Sequence, residues 1–486
     1  MVFSSLLFLY AFLPVFLALY YLAPHRLRNA VALTASLFFY VWGEPVFAVW
    51  LVVSSLFDFV LSLWLARLPA SAGAARRGVL ALGLVINLAA LVYCKYSNFL
   101  VSQLDALLVW RHAAPLAWSK IALPIGISFF TFHKISYLVD IYRGTSRPTR
   151  NVFDYLLYIC LFPQLIAGPI IRYHDVEHQL QGREHTLPRF LSGVWRFLLG
   201  LGRKVLIANP LGLVADKAFD ENLFGHAHAH LPLPYAWTGI ICYTFHIYFD
   251  FAGYSDMAIG LARMMGFEFL ENFNRPYTAR SITEFWHRWH ISLSNFMRDY
   301  LYIPLGGNRV AAWRNKLNLW LTFLVSGFWH GASWNFIFWG AYHGTLLSVE
   351  KSLGPRRLAR IPAWLGWPAT FMLVLVSWVF FRANSLPHAV AFLARMVAWD
   401  SWSDTLKNPE LLWPDLITRR TITALVLAAV TGLMPDSVWQ RWGWDDALAG
   451  TTRGAVLRVV LAAGFLLLAS AALANQGYNP FIYYRF

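Results

Sequence analysis

The chain has 486 residues, of which 58% are hydrophobic and only 13% charged, and its formal net charge is +15. A soluble chain of this size would give its helices polar faces at a 3.6-residue period, and most apolar stretches here lack them. The positive charge fits Lys and Arg held in the cytoplasmic loops of a membrane protein, so no nucleic-acid partner is expected.

Apolar runs recur at residues 3–23, 46–66, 79–94, 235–248, 317–329, 336–349, 368–381 and 457–474. Crossing the hydrocarbon core takes ~20 mostly apolar residues, so the shorter runs need their flanks to span. These runs predict an all-α polytopic membrane protein, one domain over 1–486, with about 11–13 transmembrane helices and additional re-entrant or interfacial helices. The first run reads as a retained span rather than a signal peptide: it has no basic n-region or clear cleavage site, and His25, Arg26 and Arg28 follow it. Basic clusters at Arg67, Arg76 and Arg77, at Arg143, Arg147 and Arg150, and at Lys351, Arg356, Arg357 and Arg360 are assigned to the inner side. Gly43-Glu44-Pro45 reads as a short outer turn, and Tyr20, Tyr21, Tyr40, Trp42, Trp110, Trp118, Trp364 and Trp367 as aromatic belts at run ends. The cysteines Cys94, Cys160 and Cys242 lie in apolar segments without metal-ligand spacing and read as core filler.

Several segments resist simple spanning. Residues 152–171 carry Asp154, Pro163, Gly168 and Pro169, and Arg203 with Lys204 interrupts another apolar stretch. The alternating His226, His228 and His230 read as a solvated outer loop, with Pro232 and Pro234 close behind. Residues 272–316 combine seven Lys/Arg with only Glu284 and Asp299, an excess of five positive charges among many aromatic residues. Irregular backbone at membrane depth is tolerated only where protein or water surrounds it, so 272–316 reads as a cytosolic or re-entrant functional segment. Residues 383–420 form the next long extramembrane stretch, rich in Trp and suited to the interface.

Ionisable groups inside membrane segments are functional candidates by default. They gather in SGFWHGASWN (326–335), EFWHRWHISLSNFMRDYLYIPLGG (284–307), YFDFAGYSDMAIG (248–260) and FPQLIAGPIIRY (162–173). On chemistry alone, His330 reads first as a core histidine that hydrogen-bonds between helices, and His290 as the same or as an interfacial histidine at the headgroups. His287 and His290 lack a third ligand at a zinc spacing, so no metal is expected. Gly253–Met257 is not a nucleophile elbow, because Met257 replaces the final glycine. A transporter lined by these polar groups is the reading from a different class. It would require paired broken helices in inverted repeats, and no motif here has a second copy.

The segments PQLIAGPIIRY, YFDFAGYSDMAIGLARMMGFEFLENFNRPY, SITEFWHRWHISLSNFMRDYLYIPLGGNR, GFWHGASWNFIFWGAYHG and NPFIYYRF resemble the membrane-bound O-acyltransferase family, in its bacterial, alginate-acetylating branch. The match covers nearly the whole chain in order. It implies helices around a central tunnel, with His330 as the invariant catalytic histidine and His290 as its second histidine. Trp329, Asn335, Tyr254 and Arg298 become tunnel or substrate-binding candidates, and Asp256 a structural or tunnel-lining carboxylate. One departure is His287, which stands where this branch more often has Arg.

The resemblance further implies O-acetyl transfer across the bacterial inner membrane to an extracytoplasmic polysaccharide such as alginate, through a periplasmic or membrane-anchored partner acetyltransferase. No bound cofactor is expected. Acetyl-CoA is the expected donor, its phosphates met by the basic residues of 272–316. Transfer of D-alanine or another acyl group from a carrier protein is the alternative within the same chemistry. Attack of a hydroxyl on a thioester needs a base and oxyanion donors. His330 is expected to be the base, and His290 an orienting or oxyanion partner.

Overall fold

A computed structural model describes residues 1–221, 231–399, 417–434, 452–475 and 477–480. The histidines at 226–230, residues 400–416 of the Trp-rich stretch 383–420 and the last six residues of NPFIYYRF fall outside the described residues. Among those described, all regular structure is helical, as the sequence predicts. The predicted apolar runs lie in helices, among them Pro45–Arg67, Gly73–Leu91, Leu233–Met264, Ala312–His330, Trp334–Leu353, Ala363–Arg382 and Thr452–Asn475. Five helical stretches among the described residues are long and apolar enough to cross a membrane: Pro45–Arg67, Gly73–Trp110, Leu187–Ala218, Ala363–Arg382 and Val456–Asn475. The chain divides into two compact units, the first Met1–Gly193 with Ala258–Leu270, the second Val194–Met257 with Glu271–Phe486.

The first unit shows why a bilayer must surround it. Helix Pro45–Arg67 turns Val46 (77% exposed), Val49, Val53 and Val60 outward and buries Ser55, Asp58 and Ser62. That polarity is the reverse of a water-soluble helix, because lipid accepts Val while polar side chains must find partners inside. Asp58 accepts a hydrogen bond from Asn87 Nδ2 at 2.8 Å and lies 3.6 Å from Lys134 Nζ, which donates to Ser54 at 2.6 Å. Three helices are thereby joined by one buried polar cluster: Pro45–Arg67, Gly73–Leu91 and Ile127–Arg143.

Segment 152–171 breaks where its prolines and glycine require. Helix Val152–Cys160 gives way to the single turn Phe162–Leu165, and Gly168 takes a φ of +109° that side chains rarely adopt. The backbone at Phe162 donates to Ser36 Oγ at 3.1 Å, so the irregular stretch is satisfied by protein, as burial demands.

In the second unit, helix Ala363–Arg382 repeats the inverted pattern: Trp364 is 76% exposed while Thr370 and Ser377 are buried. The interruption expected at Arg203 and Lys204 is a π-helical turn, Arg203–Ala208, within an otherwise continuous span. Segment 272–316 holds short helical pieces, Pro276–Thr278, Ile282–Arg288 and Ile291–Met297 running on into Arg298–Tyr302, separated by irregular backbone before helix Ala312–His330 begins.

A candidate active site around Trp329

The helical hairpin Ala312–His330 and Trp334–Leu353 builds the centre of the second unit. Its helices meet at backbone distance: a β-carbon on Gly340 would strike the carbonyl of Phe323, and one on Gly327 the carbonyl of Phe336. Small residues allow such approach, and in a membrane close packing of this kind holds helices together. The first helix ends at His330 because Gly331 leaves the helical conformation (φ −161°, ψ 147°). His330 is therefore held at a helix end beside a tight turn.

The imidazole of His330 is buried among aromatic rings, with centroids 4.8 Å from Trp329, 5.3 Å from Trp339 and 5.1 Å from Phe381. His290 also approaches Trp329, 6.5 Å between ring centroids, and packs edge-on against Phe251 at 4.6 Å. The two candidate histidines, forty residues apart in sequence, thus share one indole as neighbour. His290 is fully buried outside the candidate membrane spans, and burial pushes its imidazole far below the ordinary histidine range, so it is neutral.

Beside this group is a partly open cavity of about 250 Å³, lined by Trp286, His287, Arg298, Tyr302, Thr322 and Ser326, among others. Ser326 stands one helical turn before His330, and the lining residues Leu293 and Ser294 follow shortly after His290. Arg298 is paired with Asp299 at 2.7 Å and is half exposed, a cation at the cavity wall. His287 faces the cavity while His290 packs inward, so the two histidines of W-H-R-W-H serve different surroundings.

The other candidates have supporting positions. Asn335 is buried, and its amide donates to the carbonyls of Phe380 (3.1 Å) and Ala383 (2.8 Å), tying the end of helix Ala363–Arg382 to the turn after His330. Asp256 is gripped by Arg196, with Nε at 2.7 Å, and by Arg203. The crossing that permits this is again glycine on glycine: a β-carbon on Gly200 would come within 2.5 Å of the Gly253 carbonyl. Tyr254 is buried two residues before Asp256.

Reasoning from the sequence alone passed over Asn272, His343 and Trp339. His343 Nδ1 accepts a hydrogen bond from Trp286 Nε1 at 3.3 Å, and its ring lies 5.0 Å from Trp339. A polar side chain four residues after a Trp, inside an apolar helix, was the available signal. Asn272 sits in the quoted stretch ENFNRPY, where nothing local distinguishes it from Asn274.

Residues 145–386 match the family model for membrane-bound O-acyltransferases. A probable alginate O-acetylase from Azotobacter vinelandii is 41% identical, with the alignment covering 100% of both chains. The peptidoglycan O-acetyltransferase of Helicobacter pylori is 36% identical over 82% of this chain and 80% of its own. A teichoic acid D-alanyltransferase from Bacillus subtilis is 29% identical over 46% of this chain and 58% of its own. With full-length identity of this order, and with the family model matched over 145–386, the chain belongs to the membrane-bound O-acyltransferase family and is a multi-pass membrane acyltransferase.

Proposed function

We propose that this protein is an O-acetyltransferase of the bacterial inner membrane that takes acetyl from a cytosolic thioester, acetyl-CoA, for esterification of an extracytoplasmic polysaccharide such as alginate. The observation that carries the reading is that His290 and His330 both pack against Trp329, beside the cavity lined by His287 and Arg298. The full-length likeness to an alginate O-acetylase favours acetyl over D-alanyl cargo, since the D-alanyltransferase relative aligns with less than half of this chain. An extracytoplasmic acceptor calls for a partner acetyltransferase on the far side to complete the transfer.

In the proposed reaction His330 takes the proton of the acceptor hydroxyl as its oxygen bonds to the acetyl carbon. The carbon–sulfur bond then breaks, and the thiolate leaves and is protonated by the imidazolium. The aromatic wall of Trp329, Trp339 and Phe381 keeps bulk water from the thioester and strengthens nearby hydrogen bonds. The cationic mouth at Arg298 suits the donor's phosphates.

The test is His330→Ala in the full chain. Purified protein in nanodiscs should no longer consume radiolabelled acetyl-CoA, and cells carrying the variant should lose acetyl esters from their secreted polymer at unchanged protein level. Wild-type acetylation by the variant would refute the assignment.

A further inference from the structure

Resting on the acyl-transfer reading above, we propose that Asn272 is a positioning residue that locks His290 in the tautomer with the proton on Nδ1, which makes Nε2 the acceptor nitrogen of the ring. The case starts from the four hydrogen bonds of one buried amide. Asn272 Oδ1 accepts from the backbone N–H of Ser292 at 3.2 Å and from Ser292 Oγ at 2.8 Å. A backbone N–H can only donate, so the orientation of the Asn272 amide is fixed by chemistry rather than by choice. His290 Nδ1 lies 3.0 Å from the same oxygen. Facing an acceptor, Nδ1 must carry the hydrogen. The amide nitrogen completes the arrangement by donating to Ser255 Oγ at 3.1 Å.

Ser292 Oγ is also 3.5 Å from His290 Nδ1, but its single hydrogen is directed at Asn272, so it offers no donor that would reverse the assignment. In a neutral imidazole, fixing one nitrogen as donor makes the other an acceptor. His290 can therefore first receive a proton or a hydrogen bond at Nε2. It donates to a developing oxyanion only after it has been protonated there.

The same side chain restrains a costly backbone. His290 has φ 44° and ψ 54°, the left-handed region, which an L-residue with a β-carbon disfavours. The Asn272 carbonyl accepts from Ile291 N at 2.9 Å, and its side chain holds Ser292, so both residues that follow His290 are anchored to Asn272. Ser255 in turn precedes Asp256, which Arg196 and Arg203 hold in place. A chain of named contacts thus runs from a fixed helix, through Asn272, to one imidazole ring. Phe251 and Phe273 close on that ring with centroids 4.6 and 6.5 Å away.

The test uses the full chain in nanodiscs with ¹⁵N-labelled histidine, the His290 signals being identified by their absence in His290→Ala. The wild type should show a pyrrole-type Nδ1 and a pyridine-type Nε2. Asn272→Ala should lose that pattern and lower kcat for acetyl transfer by roughly 10²-fold, with KM for acetyl-CoA changing far less; in a serine-protease triad the wrong tautomer costs about 10⁴. Asn272→Asp keeps an acceptor at the same place and should retain the pattern and most of kcat. An Asn272→Asp variant that behaves like Asn272→Ala, or an Asn272→Ala variant with unchanged ¹⁵N signals or kcat, would overturn the proposal. The two readings fail differently. Normal transfer by His290→Ala removes His290 from the reaction and the proposal with it, whereas an inactive His290→Ala beside a fully active Asn272→Ala removes Asn272 alone.

Discussion

Gly327 and Gly340 face one another across the hairpin that ends at His330, so closely that neither position has room for a β-carbon. The α-carbon of Gly340 lies within 3.1 Å of where a Gly327 β-carbon would stand. What a Gly340 side chain would strike is the main chain of Phe323 and Leu324, which cannot swing aside as a flexible side chain would. The position of the candidate base thus depends on two residues that have no functional group.

Gly340→Ala should therefore push the helices apart at a cost of about 1–3 kcal/mol, the usual penalty for overpacking a tight core. His330 would move with the first helix, so acetyl transfer should fall more steeply than folded yield. Measuring thermal stability and turnover on the same purified sample checks this. A variant with wild-type values for both would show that the hairpin tolerates the extra carbon.

The buried pair Asp58 and Lys134, each 1% exposed, predicts a non-additive pair of substitutions. Asp58→Leu leaves Lys134 without its counter-charge and should destabilise by roughly 3–5 kcal/mol. Lys134→Met should be similarly harmful, because it strands the carboxylate. The double substitution removes both charges and should recover most of the loss, since a packed apolar pair often matches a buried ion pair. Unfolding the four proteins in the same detergent completes the cycle, and strictly additive losses would argue that the two side chains do not act as a pair.

His174 supplies a pH dependence outside the membrane spans. Its Nδ1 sits 2.8 Å from Asp140 Oδ2 and its Nε2 3.4 Å from Asp175 Oδ1, while Arg172 opposes them. The hydrogen bond to Asp140, more than any other influence, raises the imidazole above its ordinary value. A raised value means that the folded protein holds the proton more tightly than the unfolded chain. The stabilisation is complete below a pH of about 6.5 and fades as pH climbs through the folded value. The melting temperature of His174→Ala should thus trail wild type more at pH 5.5 than at pH 9. An equal gap at both would mean that the charge on His174 contributes nothing.

Apolar runs long enough to span, and the breaks within them, were legible from the sequence because they follow from neighbours on the chain. Pro163, Gly168 and Pro169 interrupt a helical run for reasons local to the chain, and Val46, Val49 and Val53 seek lipid or core whatever surrounds them. The motif histidines were legible as well, since their aromatic context is local. Their partners were not. Asp256 meets Arg196 and Arg203 from 60 and 53 residues away, and His290 meets Asn272 from 18 residues away across irregular backbone. No periodicity encodes such a meeting. It exists only after Gly200 has let two helices cross at Gly253 and the short helices of 272–316 have folded against them. The sequence by itself determined a membrane-embedded helical acyltransferase and where its histidines lie. Which nitrogen of His290 carries the proton, and which indole the two histidines share, was decided by tertiary packing, because hydrogen-bond direction depends on what faces an atom in space.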